Sequence, residues 1–475
     1  MSQPVRTASA PVPDLARPAG PEPRPAATLA VTSAATAVAL MAYTAPMVTL
    51  GDTAASLHTG LSAQAWLLNG TPLGLAALLL VAGSLADDYG RRRAFLLGVL
   101  ALGVTTALGA LAPNTLLFTL ARVAQGAASA AILAASLGLL VHAYPTLTGR
   151  IRATGVWGAF VSGGIALGPV VSGYVAQLAD WRWAYGTLAA AALLVAAVAP
   201  RALTESRSPR GGRPDLPGAL TLGLALAALL AALTLGRDGW LRVPVAALLA
   251  AAVVLLAAFV VVERRGAAPM LDLSLLRRPL FLASTTGAFF TGLSVIALFS
   301  YVPTLVQRTM GVSPMGTAGL FVVWSGAGFA TALQVRRLAG RVSPRHQLVI
   351  GFALHALAVL TLLGAAGSGH WARLLPGLLV SGIGSGLLNA ALPMLAVESV
   401  PAGRAAMGSG AGNTARYIGS AAGVALMIAV STATGTSAHA LAEGMNTSLI
   451  VSAALSVTAL TLLLTLHSPN HPPTT

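Results

Sequence analysis

Asp87 stands four residues before Arg91 in the run Gly83-Ser84-Leu85-Ala86-Asp87-Asp88-Tyr89-Gly90-Arg91-Arg92-Arg93. An acid and bases at this spacing can pair across a chain reversal, and Gly90 permits that reversal to be tight. Such an ion network can hold one end of a helix bundle closed in one state and break in another. The alternative is an ordinary positively charged loop on the inner face of a membrane. Arg122, followed by Gln125 and Gly126, falls inside an apolar run. Placing Arg there costs about 2.5–3.5 kcal/mol on insertion scales, so it needs a partner or a wet cavity. On the residues alone it is either a functional charge facing a wet cavity or a structural Arg bonded to backbone carbonyls. Gly164, Gly168, Pro169 and Gly173 give a helix a smooth face and a freed carbonyl, which suits packing or bending. Asn413, Arg416 and Gly419 make a further polar cluster in an apolar run. His355, near the middle of another, is a candidate proton carrier, or a neutral ring hydrogen-bonded within the bundle.

Asn69, Trp157, Tyr301, Trp324, Gln334 and Asn389 are polar or aromatic residues within apolar runs. Some of them are candidates to line a cavity, and such walls suit a planar, amphipathic organic molecule. No Asp or Glu falls in the middle of any apolar run, so neutral or anionic substrates are admissible beside Arg122 and Arg416. Enzymatic readings fail on context. The glycine-rich stretches at 382–386 and 408–412 follow no strand, and no Walker loop or zinc-type His pair appears. Cysteine is absent, which excludes disulfides and thiol chemistry. No cofactor is required.

The elements that must carry these residues are membrane helices. Of 475 residues, 56% are hydrophobic and 9% charged, against about 25% charged in soluble domains. A bilayer core about 30 Å thick needs roughly 20 apolar residues as helix. Such runs lie near 29–50, 65–86, 94–112, 115–140, 155–175, 184–200, 217–236, 243–262, 280–304, 314–335, 347–366, 372–396, 405–431 and 446–466. The fold class is therefore all-α and polytopic, with fourteen spans. Residues 1–28 read as a disordered cytoplasmic tail and not as a secretory signal, and 467–475 as a second tail.

All 28 basic residues are Arg, and the net charge is +15. They recur in short groups between apolar runs and form no stripe, which argues against a nucleic-acid partner. With the N-terminus inside, 21 fall in inner segments and five outside. That bias predicts fourteen helices with both termini in the cytoplasm of an inner-membrane protein. Longer segments at 201–216 and 263–279 divide the chain. They leave a six-helix bundle at 29–200, helices 7 and 8 within 201–279, and a second six-helix bundle at 280–466.

The Gly83–Arg93 loop resembles the signature loop G-x-L-a-D-r-x-G-r-r/k of the major facilitator superfamily. The stretch from Leu120 to Gly126 resembles its helix 4 motif, which is linked there to proton transfer, with Ala128 in place of a second Gly. Gly164 to Gly173 resembles the antiporter motif of its exporters, with Ser172 replacing one Gly. Asn413 to Gly423 resembles helix 13 of the fourteen-helix drug:proton antiporters. The resemblance covers roughly 29–466. It implies two six-helix bundles plus two extra central helices, rocking about a midplane site. It also implies efflux of drugs or antibiotics by proton antiport. The partners would be the bilayer, a small molecule and protons, with a monomer as the default. The family usually carries an Asp in helix 1, where this chain has Ala42. That departure favours the rival reading of uptake or facilitated diffusion. A membrane sensor or scaffold without transport is the third reading.

Overall fold

The computed structural model describes residues 24–207, 215–236, 239, 241–266, 273–337, 341–401, 404–435 and 437–466. Their α-helices are α1 (Pro25–Thr44), α2 (Pro46–Ser56), α3 (Leu61–Tyr89), α4 (Arg91–Ala110), α5 (Thr115–Ala143), α6 (Leu147–Leu178), α7 (Trp181–Ala202) and α8 (Leu216–Gly236). There follow α9 (Val243–Arg265), α10 (Pro279–Phe290), α11 (Ala297–Met310), α12 (Pro314–Gln334), α13 (Pro344–Thr361), α14 (Leu375–Glu398), α15 (Ala405–Thr432) and α16 (Ala438–Thr465). Among the described residues there is no strand. Helices alone satisfy their backbone internally in lipid unless a barrel closes.

Fourteen of these segments are long and apolar enough to cross a membrane. The difference between sixteen helices and fourteen spans lies in two breaks. α2 continues the first span past Ala45, and α10 and α11 are the halves of the ninth, joined by a π-helical turn at Thr291–Ile296. At that turn Gly292 meets the carbonyl of Arg416, while Gly419 and Gly423 of α15 meet the carbonyls of Phe289 and Leu293. Backbones approach this closely only where side chains are small.

Several helix ends differ from the hydropathy reading. α1 starts at Pro25, inside the expected tail, and Thr28 Oγ1 donates to the Ala202 carbonyl at 3.4 Å. α6 starts at Leu147 and α16 at Ala438, each about two turns early. Their first turns are polar but capped, by the hydroxyls of Thr146 and Ser437. Hydropathy registers lipid contact and is blind to caps. Of the tails expected at 1–28 and 467–475, residues 1–23 and 467–475 lie outside the described residues.

In the first half α5 packs on α3 and α4, α4 on α7, and α1 on α6 and α7. In the second, α14 packs on α12 and α13, α13 on α16, and α15 on α10, α11 and the π turn. The halves meet where α15 lies on α3 and where α6 lies on α12 and α14. α8 and α9 pair with each other, and α8 rests on α3. α9 exposes Val253, Val254 and Leu256, an apolar surface suited to lipid.

Candidate functional site

A cavity of about 910 Å³ lies between the halves. Its lining includes Tyr43, Asn69, Pro169, Tyr301 and Ser420. It extends to Asp52, Gln177 and Arg308, near the ends of α2, α6 and α11. Of the expected lining residues, Asn69 and Tyr301 face it, and Asn69 Nδ2 donates to Thr234 Oγ1 at 3.3 Å. Trp157 and Asn389 instead line a second void of about 20 Å³. Trp324 lines neither. It stacks on Phe299 at 4.6 Å and donates from Nε1 to Ser381 Oγ at 3.1 Å. Gln334 sits exposed at the end of α12, where it accepts from Arg337 Nη1 at 2.9 Å.

At the opposite end the two halves are joined by the Gly83–Arg93 loop. Asp87 is fully buried. Its Oδ1 takes Arg91 Nε at 2.8 Å, and its Oδ2 accepts the Met407 N–H at 3.0 Å. Met407 is the third residue of α15, so this N–H is one that the helix itself leaves unpaired. A carboxylate there also meets the positive end of the helix dipole. Asp88 Oδ1 pairs with Arg404 Nη1 at 2.9 Å, directly before α15. Gly83 lies so near the Ala406 carbonyl that a Cβ would fall 2.4 Å from it. Gly90 has φ +124°, a conformation L side chains rarely adopt. Behind this junction Glu205 Oε1 accepts the Arg92 N–H at 3.1 Å, and Arg92 Nη2 donates to the Pro200 carbonyl at 3.0 Å.

Arg122 of α5 is fully buried between α1 and α3. Pro46 has no N–H, so the Ala42 carbonyl loses its helical donor and the first span breaks there. Arg122 Nη1 fills the gap, donating to the Ala42 carbonyl at 2.5 Å and to Gln125 Oε1 at 2.9 Å. Its Nη2 donates to the Tyr43 carbonyl at 3.2 Å. Ala42, which stands where the family has Asp, thus meets Arg122 through its backbone. Among the described residues no carboxylate pairs with Arg122.

The helix 5 motif packs on the same break. Gly164 lies against Ala37, and Gly168 against Met41 and Thr44, while Pro169 and Gly173 line the large cavity. Pro169 frees the Ile165 carbonyl, and Thr44 Oγ1 lies 3.4 Å from it. In α15, Asn413 and Arg416 line the small void and Gly419 faces away, against α10.

His355 lies inside the second half, away from both cavities, with both ring nitrogens bonded. Nδ1 is 2.8 Å from Ser381 Oγ, and Nε2 is 3.0 Å from Ser452 Oγ. Ser452 Oγ donates onward to the Ser294 carbonyl at 3.1 Å, so it accepts from Nε2–H. Ser381 accepts from Trp324 and so gives its own proton to Nδ1. The chain of donors is complete with a neutral ring, and a proton on Nδ1 would leave the Ser381 hydroxyl without an acceptor.

The Major Facilitator Superfamily family model matches residues 32–424. The chain belongs to that superfamily. Over 384 residues it is 32% identical to the multidrug resistance protein Stp of Mycobacterium tuberculosis (strain CDC 1551 / Oshkosh), covering 80% of this chain and 71% of Stp. Over 432 residues it is 30% identical to the puromycin resistance protein pur8 of Streptomyces alboniger, covering 89% and 85%. The multidrug efflux pump LfrA of Mycolicibacterium smegmatis is 30% identical over 427 residues, covering 87% and 84%. Among solved structures, the proton:xylose symporter XylE superposes with a TM-score of 0.66 at 11% identity, covering 92% of this chain and 94% of XylE. The human organic anion transporter MFSD10 superposes with a TM-score of 0.63 at 18% identity, covering 93% and 100%. These two show the fold.

As a superfamily member the chain is a membrane-embedded transporter of small substrates. Several residues of its site escaped the sequence reading. Glu205 and Ser206 sit in a polar linker, yet Ser206 accepts the Arg91 N–H at 3.0 Å. Asp88 was legible only as the neighbour of Asp87, and its partner Arg404 lies 316 positions away. Tyr43 and Tyr417, whose rings meet edge to face at 6.0 Å across the halves, carry no spacing signal.

Proposed function

We infer that this transporter exports small organic compounds, antibiotics among them, by alternating access driven by inward proton flow. The observation that carries the reading is the asymmetry of the molecule. A large cavity reaches one end, and a buried ion network ties α3 to α15 at the other. The arginine bias puts the Asp87 end in the cytoplasm. On that orientation the conformer faces outward, both termini are cytoplasmic, and Asp87, Arg91 and Asp88 hold the inner gate. Support for export comes from the relatives, whose names are those of efflux and resistance proteins. One proton crossing about 100 mV supplies roughly 2.3 kcal/mol, enough for about a fifty-fold gradient. Arg122 with Gln125, spanning the break in the first helix, is the coupling element in this reading. The neutral hydrogen-bond chain around His355 favours a structural role for that ring. The chain is taken to work as a monomer in the inner membrane.

One observation favours facilitated uptake as a second reading: no carboxylate pairs with Arg122 among the described residues. Accumulation of a panel of dyes and antibiotics in a pump-deficient host, with and without a protonophore, separates the two. Lower accumulation that the protonophore restores is the expected result. Higher accumulation, indifferent to the protonophore, replaces export by facilitated uptake.

A further inference from the structure

Among the described residues, Arg416 is a sparsely satisfied charge in the membrane core. It is 7% exposed, and its guanidinium makes one long hydrogen bond, 3.5 Å to Asn389 Oδ1. The Tyr417 side chain, whose ring centroid lies 5.3 Å away, is a further hydrogen-bonding partner. Its Nε is buried without a partner. The Arg122 Nε is likewise without a partner, but the Arg122 guanidinium donates to three oxygens. No carboxylate reaches Arg416 among the described residues. A guanidinium so placed in a membrane costs several kcal/mol unless something neutralises it.

Arg416 lines the small void between the halves, with Asn389, Asn413, Ser284, Ser409 and Trp157. The void is polar on several sides. Asn389 Nδ2 donates across the halves to Ser162 Oγ at 3.0 Å, and Trp157 turns its indole N–H away, to Thr36 Oγ1 at 2.9 Å. A volume of about 20 Å³ has room for one water and no organic molecule. One turn further along α15, Ser420 lines the large cavity together with Tyr43. Tyr43 of that lining meets the ring of Tyr417, the residue after Arg416 in α15, at 6.0 Å.

We propose that Arg416, Asn389 and Asn413 form the subsite that takes the anionic group of the transported molecule. The substrates are thus planar organic anions, such as carboxylates or phenolates, in preference to cations. The subsite is collapsed in the conformer described here. It opens when the α3–α15 junction parts, and a bound anion then satisfies the arginine Nε and guanidinium face bidentately. Closure shrinks the void to the size of a water, which lowers its affinity and passes the anion on past Tyr417 and Tyr43 toward the large cavity. The direction of loading rests on the export reading, whereas the charge preference does not.

The test measures binding by fluorescence anisotropy to the full chain in lipid nanodiscs. The probes are two anionic dyes, 5-carboxyfluorescein and pyranine, and one cationic dye, rhodamine 6G. The wild type is expected to bind at least one anion saturably, more tightly than the cation. Arg416→Gln should raise the anion Kd at least tenfold and leave the cation Kd unchanged or lower. Arg416→Lys, which keeps the charge and loses the bidentate fork, should fall between wild type and Arg416→Gln. Asn413→Asp, which puts a carboxylate beside the arginine, should weaken the anion as much as Arg416→Gln does. It keeps the test alive if Arg416→Gln does not fold. Equal loss of both charge classes, an anion Kd indifferent to both variants, or no saturable binding of either anion overturns the subsite. Uptake of the same dyes into everted vesicles runs in parallel. Arg416-dependent anion binding without gradient-driven uptake keeps the subsite and removes the export reading. Gradient-driven uptake of the cation alone keeps export and removes the subsite.

Discussion

Two buried basic side chains show how residue type and partner together fix a role. Arg122 closes the gap that Pro46 opens, so its loss leaves the Ala42 and Tyr43 carbonyls unpaired. Each such carbonyl costs about 1–3 kcal/mol. Arg122→Ala should therefore lower the thermal midpoint and reduce transport at least tenfold. In a Pro46→Ala background, where residue 46 regains its N–H, the stability loss should be smaller. Equal losses in both backgrounds, measured by thermal unfolding in detergent, would remove the proline from the explanation. His355 sits in a finished chain from Trp324 to the Ser294 carbonyl. Gln can bridge the two serines, so His355→Gln should keep protonophore-sensitive dye export within about twofold. His355→Leu should cost about 1–3 kcal/mol of stability by orphaning both hydroxyls. A collapse of proton coupling in the Gln variant, with folding intact, would make the ring a carrier.

At the scale of elements, the contact of α3 with α15 depends on the absence of side chains. A Cβ on Gly83 would stand 2.4 Å from the Ala406 carbonyl, and one on Gly410 would stand 2.5 Å from the Leu79 carbonyl. Gly83→Val should thus push the helices apart at the Asp87 end and disfavour the conformer described here. Its expected signature is loss of export with little loss of folded protein. Unchanged export would mean that the contact is not needed. The same scale shows why hydropathy read the spans well and their ends poorly. The lipid-facing middle of each helix is composed of apolar residues, whereas α6 and α16 begin in polar turns held by Thr146 and Ser437. The π turn at Thr291–Ile296 left no trace in the apolar run around it, because it arises from the close packing of Gly292 on α15.

Over the whole molecule, the buried pairs at one end and the cavity at the other predict a single exchange of access. The natural chain has no cysteine, so single cysteines report without background. Ser409 lines the small void and is buried from bulk solvent. A Ser409→Cys chain in everted vesicles should react slowly with an impermeant maleimide. Adding Asp87→Asn, which weakens the bonds to Arg91 and Met407, should speed that reaction several-fold. Ser300, which lines the large cavity, should change the opposite way when replaced by Cys and labelled from outside. Rates at both positions that ignore Asp87 would separate this ion network from gating.

The number of spans was set by the sequence alone, because a hydrocarbon layer of fixed thickness demands apolar runs of fixed length. So was the grouping of Asp87, Gly90 and Arg91, since residues four apart at a helix turn are neighbours in any fold that keeps the turn. The long-range partners were decided only by tertiary structure. Asp88 with Arg404, Arg122 with the Ala42 carbonyl, and Asn389 with Ser162 each join helices far apart in the chain. Their signals are single residues without spacing, and a carbonyl acceptor has no sequence signature at all. The separation of Asn69 and Tyr301 from Trp157, Trp324 and Asn389 was likewise settled by packing. Composition says that a polar residue in a membrane helix must face something other than lipid. Only the arrangement of the helices says whether that is a cavity, a void or another side chain.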